Sequence, residues 1–174
     1  MDTSYILRPW QSTDLDSLVH NANNWEVAKN LSDRFPYPYT EEAGKAFIEQ
    51  VNQTQPPRHL AIVVSDKAVG GIGVYPQEGI HRRNAELGYW LGEAFWGKGI
   101  ISKAIPQIID YVFSNFELDR VFARVFDTNI ASQKVLLKSG FKLEARFEKT
   151  LIKDNKLFEE LIFAIRRPTI NEQR

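Results

Sequence analysis

The sequence predicts one domain of the α/β class, and three observations lead to that prediction. The chain has 174 residues, a length that suits one compact domain, taken here as residues 1–174. Hydrophobic residues make up 43% and charged residues 25%, as in soluble globular proteins, which excludes a disordered or low-complexity chain. Segments with strand spacing alternate with segments of helical spacing, without an internal repeat or a linker.

The first half of the chain is predicted to alternate strands and helices around one proline-rich loop. Ser12 or Thr13 is suited to cap a helix, and Thr40 precedes two acidic residues that favour a helix start. Two prolines deny residues 35–39 a regular hydrogen-bond ladder. The predicted elements are a strand at 5–8, helices at 14–21, 25–31 and 40–51, and strands at 60–64 and 69–75 that form a hairpin.

The second half is predicted to continue the alternation and to close on a hairpin. Pro106 lies inside a helical pattern and is expected to bend the helix. Gly140 stands where helices commonly stop, and Asp154 and Asn155 tolerate the positive φ of a tight turn. The predicted elements are strands at 85–91 and 121–126, helices at 99–116 and 131–138, strands at 141–150 and 157–166, and a frayed tail at 168–174.

Composition excludes several classes of function. Lys plus Arg and Asp plus Glu both number 22, so bulk attraction to nucleic acid or to an anionic membrane is not expected. The chain has no Cys, which excludes a disulfide scaffold and a cysteine nucleophile, and its three His show no ligand spacing, so no metal is expected. The N-terminus is acidic and no apolar run is long enough to span a bilayer, which predicts a cytoplasmic protein.

A glycine-rich segment follows the strand predicted at 85–91. It satisfies GxxxxGK of a phosphate-binding loop, but Gly99 stands where the magnesium-binding Ser or Thr belongs. Ser102 stands where the third Gly of GxGxxG belongs, so the dinucleotide pattern fails as well. Exposed N–H groups at a helix start and the charge of Lys98 suit an anion, although a simple turn explains the glycines equally well.

Two segments resemble the signatures of a known enzyme family. Residues 86–92 (ELGYWLG) with 95–101 (FWGKGII) resemble the acetyl-CoA signature of the GNAT N-acetyltransferase superfamily. Residues 129–132 (NIAS) with 135–141 (VLLKSGF) resemble its second signature, and the likeness extends over residues 4–167. The branch it most resembles is the Rim type, which includes enzymes that acetylate N-termini of ribosomal proteins. The resemblance implies a central mixed, mainly antiparallel sheet flanked by helices on both faces, with splayed strands that hold the cofactor.

The same resemblance implies transfer of an acetyl group from acetyl-CoA to a primary amine. The leading acceptor is a protein N-terminal α-amine, ribosomal or other. A small-molecule amine, such as a polyamine or an aminoglycoside, and a non-catalytic CoA-binding module are the alternatives. Both a monomer and a homodimer remain open.

The resemblance assigns the cofactor to three stretches of the chain. It places the CoA pyrophosphate on backbone N–H groups of the glycine loop, the pantetheine arm on the strand before it, and the thioester near Ser132. Lys138 is assigned to the CoA phosphates, with a solvated helix-end charge as the alternative. The cofactor residues are Trp90, Leu91, Trp96, Gly97, Lys98, Gly99, Ile100, Ile101, Ser102, Asn129, Ser132 and Lys138.

The predicted catalytic residues are Glu86 and Ser132. Glu86 lies on a central strand and is the first candidate for the carboxylate that accepts the amine proton; ordering the substrate or pairing with an Arg are its alternatives. Ser132 is the candidate proton donor for the thiolate because Leu136 replaces the Tyr that many relatives carry. Because the chain has no Cys, a route through an acyl-cysteine intermediate is excluded. Direct attack of the amine on acetyl-CoA in a ternary complex is therefore expected.

Tyr37, Tyr39 and Glu86 are the candidate substrate-binding residues. The two tyrosines belong to the proline-rich loop, which matches the region that covers the acceptor in relatives, and packing is the alternative role for each. The chain departs from the family pattern at four positions, Trp96, Ile101, Leu136 and Leu151. Backbone donation survives such changes, so phosphate binding is expected to persist with altered packing.

Overall fold

A computed structural model of the chain describes residues 4–168. Its helices are α1 (Leu15–Ala22), α2 (Trp25–Ala28), α3 (Glu41–Val51), α4 (Ile100–Asn115) and α5 (Ile130–Lys138). Its strands are β1 (Ile6–Pro9), β2 (His59–Val64), β3 (Lys67–Pro76), β4 (Asn84–Leu91), β5 (Arg120–Phe126), β6 (Lys142–Lys153) and β7 (Lys156–Arg166). The predicted tail lies outside this range from residue 169 onwards.

The strands form one seven-stranded sheet in the order β1-β2-β3-β4-β5-β7-β6. β4 pairs with β5 in parallel, whereas β1 with β2, β2 with β3, β5 with β7 and β6 with β7 are antiparallel. The parallel pairing joins Asn84–Glu86 to Arg120–Phe122. The prediction of a mixed, mainly antiparallel sheet flanked by helices is confirmed.

Local signals in the sequence account for most element boundaries. The Thr40 hydroxyl accepts a hydrogen bond from the N–H of Ala43, which begins α3. Asp154 and Asn155 have φ of 48° and 58°, as a hairpin turn of the predicted kind requires. Gly140 follows α5 with φ of 87°.

Some of the predicted helices differ from the helices observed. The helix predicted at 25–31 ends at Ala28, because the chain turns through a hydrogen bond from the N–H of Leu31 to the carbonyl of Ala28. The helix predicted at 14–21 is preceded by a 3-10 turn at Ser12–Asp14 and begins at Leu15. The helix expected to bend at Pro106 runs without interruption from Ile100 to Asn115.

The chain divides into two compact units. The first comprises residues 1–73 and 88–105, and the second residues 74–87 and 106–174. In the first unit Trp10 packs edge-on against Phe47 with ring centroids 5.2 Å apart. Its buried core consists of Trp10, Leu18, Ala22, Tyr39, Ile48, Val51, Ala61, Val63 and Ala68. In the second unit a smaller cluster joins Phe122, Ile162 and Ala164, with Ala145 packed against it.

A partly buried ion pair stabilises the start of the first unit. The guanidinium of Arg8 donates two hydrogen bonds of 2.7 Å to the carboxylate of Asp14, which also accepts one from the N–H of Gln11. Burial alone raises the pKa of Asp14, but these hydrogen bonds outweigh it and hold the pKa below its usual value. The pair therefore ties β1 to the turn that precedes α1.

No helix among residues 4–168 combines the length and the apolar character needed to cross a membrane.

Candidate active site

The glycine loop lies in the first unit, between β4 and α4. Gly97 and Gly99 have φ of 72° and 73°, a conformation that side chains disfavour. Apart from the chain neighbours of each glycine, no atom of residues 4–168 lies within 4 Å of the position that a Cβ would take there, so a ligand can approach the backbone closely. α4 begins directly afterwards at Ile100, and the first N–H groups of a helix have no partner within it. This loop has the construction of an anion site.

The side chains in and after the glycine loop differ in their exposure to solvent. The ammonium of Lys98 lies 5.1 Å from the ring centroid of Phe95, and both Trp96 and Lys98 are exposed. Ile100 is buried and anchors the start of α4, whereas Ile101 and Ser102 are half-buried. The predicted cofactor residues of this stretch are thus contiguous, with Ile100 serving the core through its side chain.

The indole of Trp96 is bonded to the end of β4. Its Nε1 donates a hydrogen bond of 2.7 Å to the carbonyl of Leu91. That carbonyl is one of the backbone groups assigned to the pantetheine arm, and a carbonyl oxygen retains a second lone pair. Trp96 therefore links the glycine loop to the strand that precedes it.

The end of β4 is packed closely within the first unit. A Cβ at Gly70 would lie 2.5 Å from the carbonyl oxygen of Trp90, so only glycine fits there. The ring of Trp90 packs on Phe35 at 5.5 Å, and Leu91 is buried. The backbone of Trp90 and Leu91 is consequently held in one position.

Tyr37 and Tyr39 have different surroundings in the same unit. Tyr39 is 5% exposed and packs on Phe35 with centroids 5.0 Å apart, which favours the packing role that the sequence left open. Tyr37 is 49% exposed and lies against Trp25 at 5.4 Å. Only Tyr37 therefore presents its ring to solvent.

The second signature forms the start of α5 in the second unit. The side-chain oxygen of Asn129 accepts a hydrogen bond of 3.2 Å from the N–H of Ser132 and caps the helix. Ser132 is half-buried in the first turn, and Leu136 is fully buried one turn later. Lys138 ends the helix and is exposed, as a solvated helix-end charge would be.

Glu86 lies in the second unit within a row of charged side chains across three strands. The Nε of Arg124 on β5 lies 3.6 Å from a carboxylate oxygen of Glu86 on β4. The Nη1 of the same arginine donates a hydrogen bond of 2.9 Å to Glu160 on β7. Pairing with an arginine, one of the alternatives for Glu86, is thus present.

Arg124 is the positive centre of this row. Its partial burial lowers the pKa of the guanidinium, but Glu160 and Glu86 outweigh that effect and raise the pKa above its ordinary value. The guanidinium lies 5.4 Å from the ring centroid of Phe122. Arg124 is therefore a fixed cation at every accessible pH.

Sequence reasoning missed Arg124 and Glu160. Arg120, Phe122 and Arg124 alternate along β5 and so share one face of the sheet, which is a detectable signal in a strand otherwise rich in apolar residues. Glu160 is almost completely buried, which its sequence position does not reveal. Its partner lies 36 residues away on a neighbouring strand.

Outside these residues, the described part of the chain contains an open pocket but no cluster suited to a metal ion. Among residues 4–168 no group of three or more His, Asp or Glu side chains is arranged to hold a metal ion. An open pocket of about 350 Å³ lies in the first unit, lined by His20, Asn21, Asn24, Glu93 and Ala94. It includes none of the residues that the sequence singled out.

Comparisons with known proteins identify relatives of this chain. The profile of the family described as acetyltransferase (GNAT) domain matches residues 5–142. The uncharacterized N-acetyltransferase YoaA of Bacillus subtilis (strain 168) is 33% identical over 150 residues, covering 86% of this chain and 78% of YoaA. The ribosomal-protein-serine acetyltransferase of Escherichia coli (strain K12) is 36% identical over 83 residues, covering 48% of this chain and 46% of that protein.

A solved structure shares the fold. Spermidine N-acetyltransferase from Vibrio cholerae, in complex with CoA and spermine, matches with a TM-score of 0.78 at 19% identity. The match covers 93% of this chain and 95% of that chain. The family profile includes the glycine loop as well as Asn129 and Ser132.

Proposed function

Because this chain belongs to the GNAT acetyltransferase family and is an N-acetyltransferase that uses acetyl-CoA, we propose that its acceptor is a protein N-terminal α-amine. The relative named as a ribosomal-protein-serine acetyltransferase, 36% identical over 83 residues, supports that acceptor class. The structural neighbour that acts on spermidine keeps a small-molecule amine as the second candidate.

The glycine loop is the observation that carries the proposal for the cofactor. Open space at Gly97 and Gly99 beside the N-terminus of a 16-residue helix suits the CoA pyrophosphate. No metal is required, since backbone N–H groups and Lys98 supply the positive potential. The end of β4 supplies backbone groups for the pantetheine arm.

The proposed reaction is a direct transfer. Glu86 accepts the proton that the amine loses while the amine nitrogen bonds to the acetyl carbon. The Ser132 hydroxyl donates a proton to the sulfur as the carbon–sulfur bond breaks, because a free thiol has a pKa near ~8.5. An α-amine has a pKa of ~7.7–8.0, against ~10.4 for a lysine side chain, so the proposed acceptor needs only a weak base near neutral pH.

Cofactor binding is the first test of this proposal. A ligand at 100 times its Kd stabilises the native state by about 2.7 kcal/mol, so saturating acetyl-CoA is expected to raise the unfolding temperature by several degrees. Release of CoA is then measured with a peptide bearing a free N-terminus and with spermidine. Transfer to spermidine alone would favour the second candidate, and binding without transfer to any amine would favour a binding module.

Two substitutions test the catalytic assignments. Glu86→Gln and Ser132→Ala are expected to lower kcat by roughly 100-fold each while acetyl-CoA still binds. The matched controls are Glu144→Gln, which removes another carboxylate bonded to an arginine of the sheet, and Ser139→Ala at the far end of α5. Full turnover in both catalytic variants would show that the assigned roles are wrong.

A further inference from the structure

We propose that Arg124 determines the acceptor, by donating a hydrogen bond to the carbonyl or carboxylate oxygen next to the reacting amine. The acceptor is then an α-aminoacyl compound, either a peptide N-terminus or a free amino acid, and not a polyamine. This inference rests on the proposed function, in which Glu86 receives the proton of the amine. It concerns only residues of the second unit.

The hydrogen bonds of Arg124 leave part of its guanidinium available. Nε lies beside Glu86 and Nη1 is bonded to Glu160, whereas Nη2 makes no hydrogen bond within the part of the chain that the structure describes. The side chain is 48% exposed, so solvent or a ligand reaches it. An arginine with two remaining N–H donors on a sheet face is suited to an oxygen ligand.

Arg120 provides a contrast on the same strand. Its Nε and Nη2 both donate to Glu144, and its Nη1 donates to Asn84. All three nitrogens are occupied, and the side chain is only 22% exposed. Both guanidinium groups lie over the ring of Phe122, at 4.7 Å for Arg120 and 5.4 Å for Arg124. Both arginines therefore contact the same aromatic ring. Within residues 4–168, Arg120 uses all three of its nitrogens in hydrogen bonds, whereas Nη2 of Arg124 is left for a ligand.

The orientation of Arg124 is fixed before any ligand arrives. The Glu160 carboxylate that accepts from it belongs to a side chain that is 12% exposed. Phe122 supports the guanidinium on one side, and Glu86 lies at 3.6 Å. A donor held in this way loses little conformational entropy when it binds an oxygen, so it discriminates between acceptors more strongly than a free side chain would.

An acceptor atom and a donor thus lie side by side on this face. Glu86 offers a carboxylate to an amine, and Arg124 beside it offers N–H groups to an oxygen. In an α-aminoacyl group the amine nitrogen and the carbonyl oxygen sit on adjacent carbon atoms, which matches that arrangement. A polyamine has no oxygen for Arg124 and brings further positive charge against a guanidinium, which is unfavourable.

The experiment compares kcat/KM for acceptors that have, or lack, a carbonyl or carboxylate oxygen next to the amine. Two acceptors carry the oxygen: a short peptide with a free N-terminus, and the free amino acid that corresponds to its first residue. Two lack it: an alkylamine as long as that amino acid, and spermidine. Each is measured with the unaltered chain, Arg124→Gln, Arg124→Lys and the control Arg120→Gln. Kd values for acetyl-CoA and unfolding temperatures are measured alongside, so that a loss of folding or of cofactor binding is recognised.

The expected result is a selective loss. Arg124→Gln lowers kcat/KM for the peptide by roughly tenfold or more, mainly through KM, because a hydrogen bond from a charged donor is lost. It lowers the already low value for the alkylamine by a clearly smaller factor, because Arg124 also pairs with Glu86. Arg124→Lys retains part of the activity, and Arg120→Gln retains the full preference for the peptide. Use of the free amino acid as well as the peptide also supports the proposal and identifies a carboxylate as a second source of the oxygen.

Other results overturn the proposal. A preference of the unaltered chain for spermidine contradicts it while leaving acetyl transfer intact. Equal losses for peptide and alkylamine in Arg124→Gln indicate a structural role only. If no amine is acetylated although acetyl-CoA binds, the proposed function itself fails and this inference with it. If Arg124→Gln does not fold, Arg124→Lys gives the same comparison, and an unchanged ratio of peptide to alkylamine activity in that variant counts against the proposal.

Discussion

At the scale of single residues, Trp96 shows how a departure from the family pattern is accommodated. It stands where a Gln or Arg is usual, and its indole N–H is bonded to the Leu91 carbonyl. The glycine loop and the end of β4 are thereby joined by a side chain instead of by packing alone. The substitution alters how the loop is held, whereas the backbone groups of Gly97 and Gly99 remain open.

Trp96→Phe tests that role because it removes the N–H and keeps an aromatic ring. Loss of one hydrogen bond is expected to lower the free energy of unfolding by about 1 kcal/mol. The Kd of acetyl-CoA is expected to rise several-fold, because the loop becomes less fixed before binding. Denaturant unfolding and titration calorimetry measure the two effects.

Trp25→Phe is the matched control for this substitution. Trp25 is 37% exposed against 43% for Trp96, and it contacts Tyr37 through its ring. It is expected to leave acetyl-CoA binding unchanged. An unaltered Kd in Trp96→Phe would show that the bond to Leu91 does not serve the cofactor.

The conformation of the glycine loop was predictable at this scale, and the charged row was not. Gly97, Lys98 and Gly99 are neighbours in sequence, so their conformation and their position before a helix follow from local rules. Glu86, Arg124 and Glu160 come together only through pairing between strands. The sequence left pairing with an arginine open as a role of Glu86 but did not indicate which arginine.

At the scale of elements, the start of α5 serves two purposes in the proposal. Asn129 caps the helix through its side-chain oxygen, and its amide nitrogen remains for the pantetheine arm that the family resemblance assigns to it. The helix begins at Ile130, one residue before the start predicted at 131. The hydrophobic spacing that predicted the helix does not reveal the capping residue that precedes it. Its end at Lys138 was predicted correctly, since Gly140 marks it.

Substitutions at Asn129 separate the cap from the ligand contact. Asn129→Asp retains a capping oxygen and is expected to keep the free energy of unfolding within a few tenths of a kcal/mol. It also replaces the amide nitrogen with an acceptor, so the Kd of acetyl-CoA is expected to rise at least several-fold. Asn129→Ala loses both functions and is expected to lower stability by about 1 kcal/mol.

Thr40→Ala is the control for loss of a helix cap, since Thr40 caps α3 in the same manner. It is expected to cost a similar free energy of unfolding and to leave cofactor binding unchanged. Unaltered acetyl-CoA binding in Asn129→Asp would mean that Asn129 is only a cap. Denaturant unfolding and calorimetry on the three variants decide between the two roles.

At the scale of the whole molecule, strand order is what local patterns do not reveal. The sequence predicted the strands, and the family resemblance predicted a mixed sheet, but neither predicted which side chains lie side by side. β7 lies between β5 and β6 although it is last in the chain, which places Glu160 next to Arg124. Such placement depends on pairing over long sequence separations, for which a local pattern carries no information.

The dependence of stability on pH is a further property of the whole molecule. Burial lowers the pKa of His59 to about 4, and the charge of Arg58 contributes in the same direction. In the unfolded chain the same imidazole has a pKa near 6.5. The unfolded state therefore binds a proton first as the pH falls, so this contribution to stability is complete above pH ~6.5 and is lost progressively down to about pH 4.

Urea unfolding between pH 7.5 and 4 measures this effect. The free energy of unfolding is expected to fall by up to about 3 kcal/mol over that range in the unaltered chain, since each unit of pKa shift corresponds to ~1.4 kcal/mol. His59→Gln has no imidazole to protonate, so its free energy of unfolding is expected to change much less between pH 6.5 and 4. His81→Gln, at an exposed position, is the control for loss of an imidazole. Equal slopes for His59→Gln and the unaltered chain would show that other groups govern the acid side, because only a group with different proton affinity in the two states contributes to the slope.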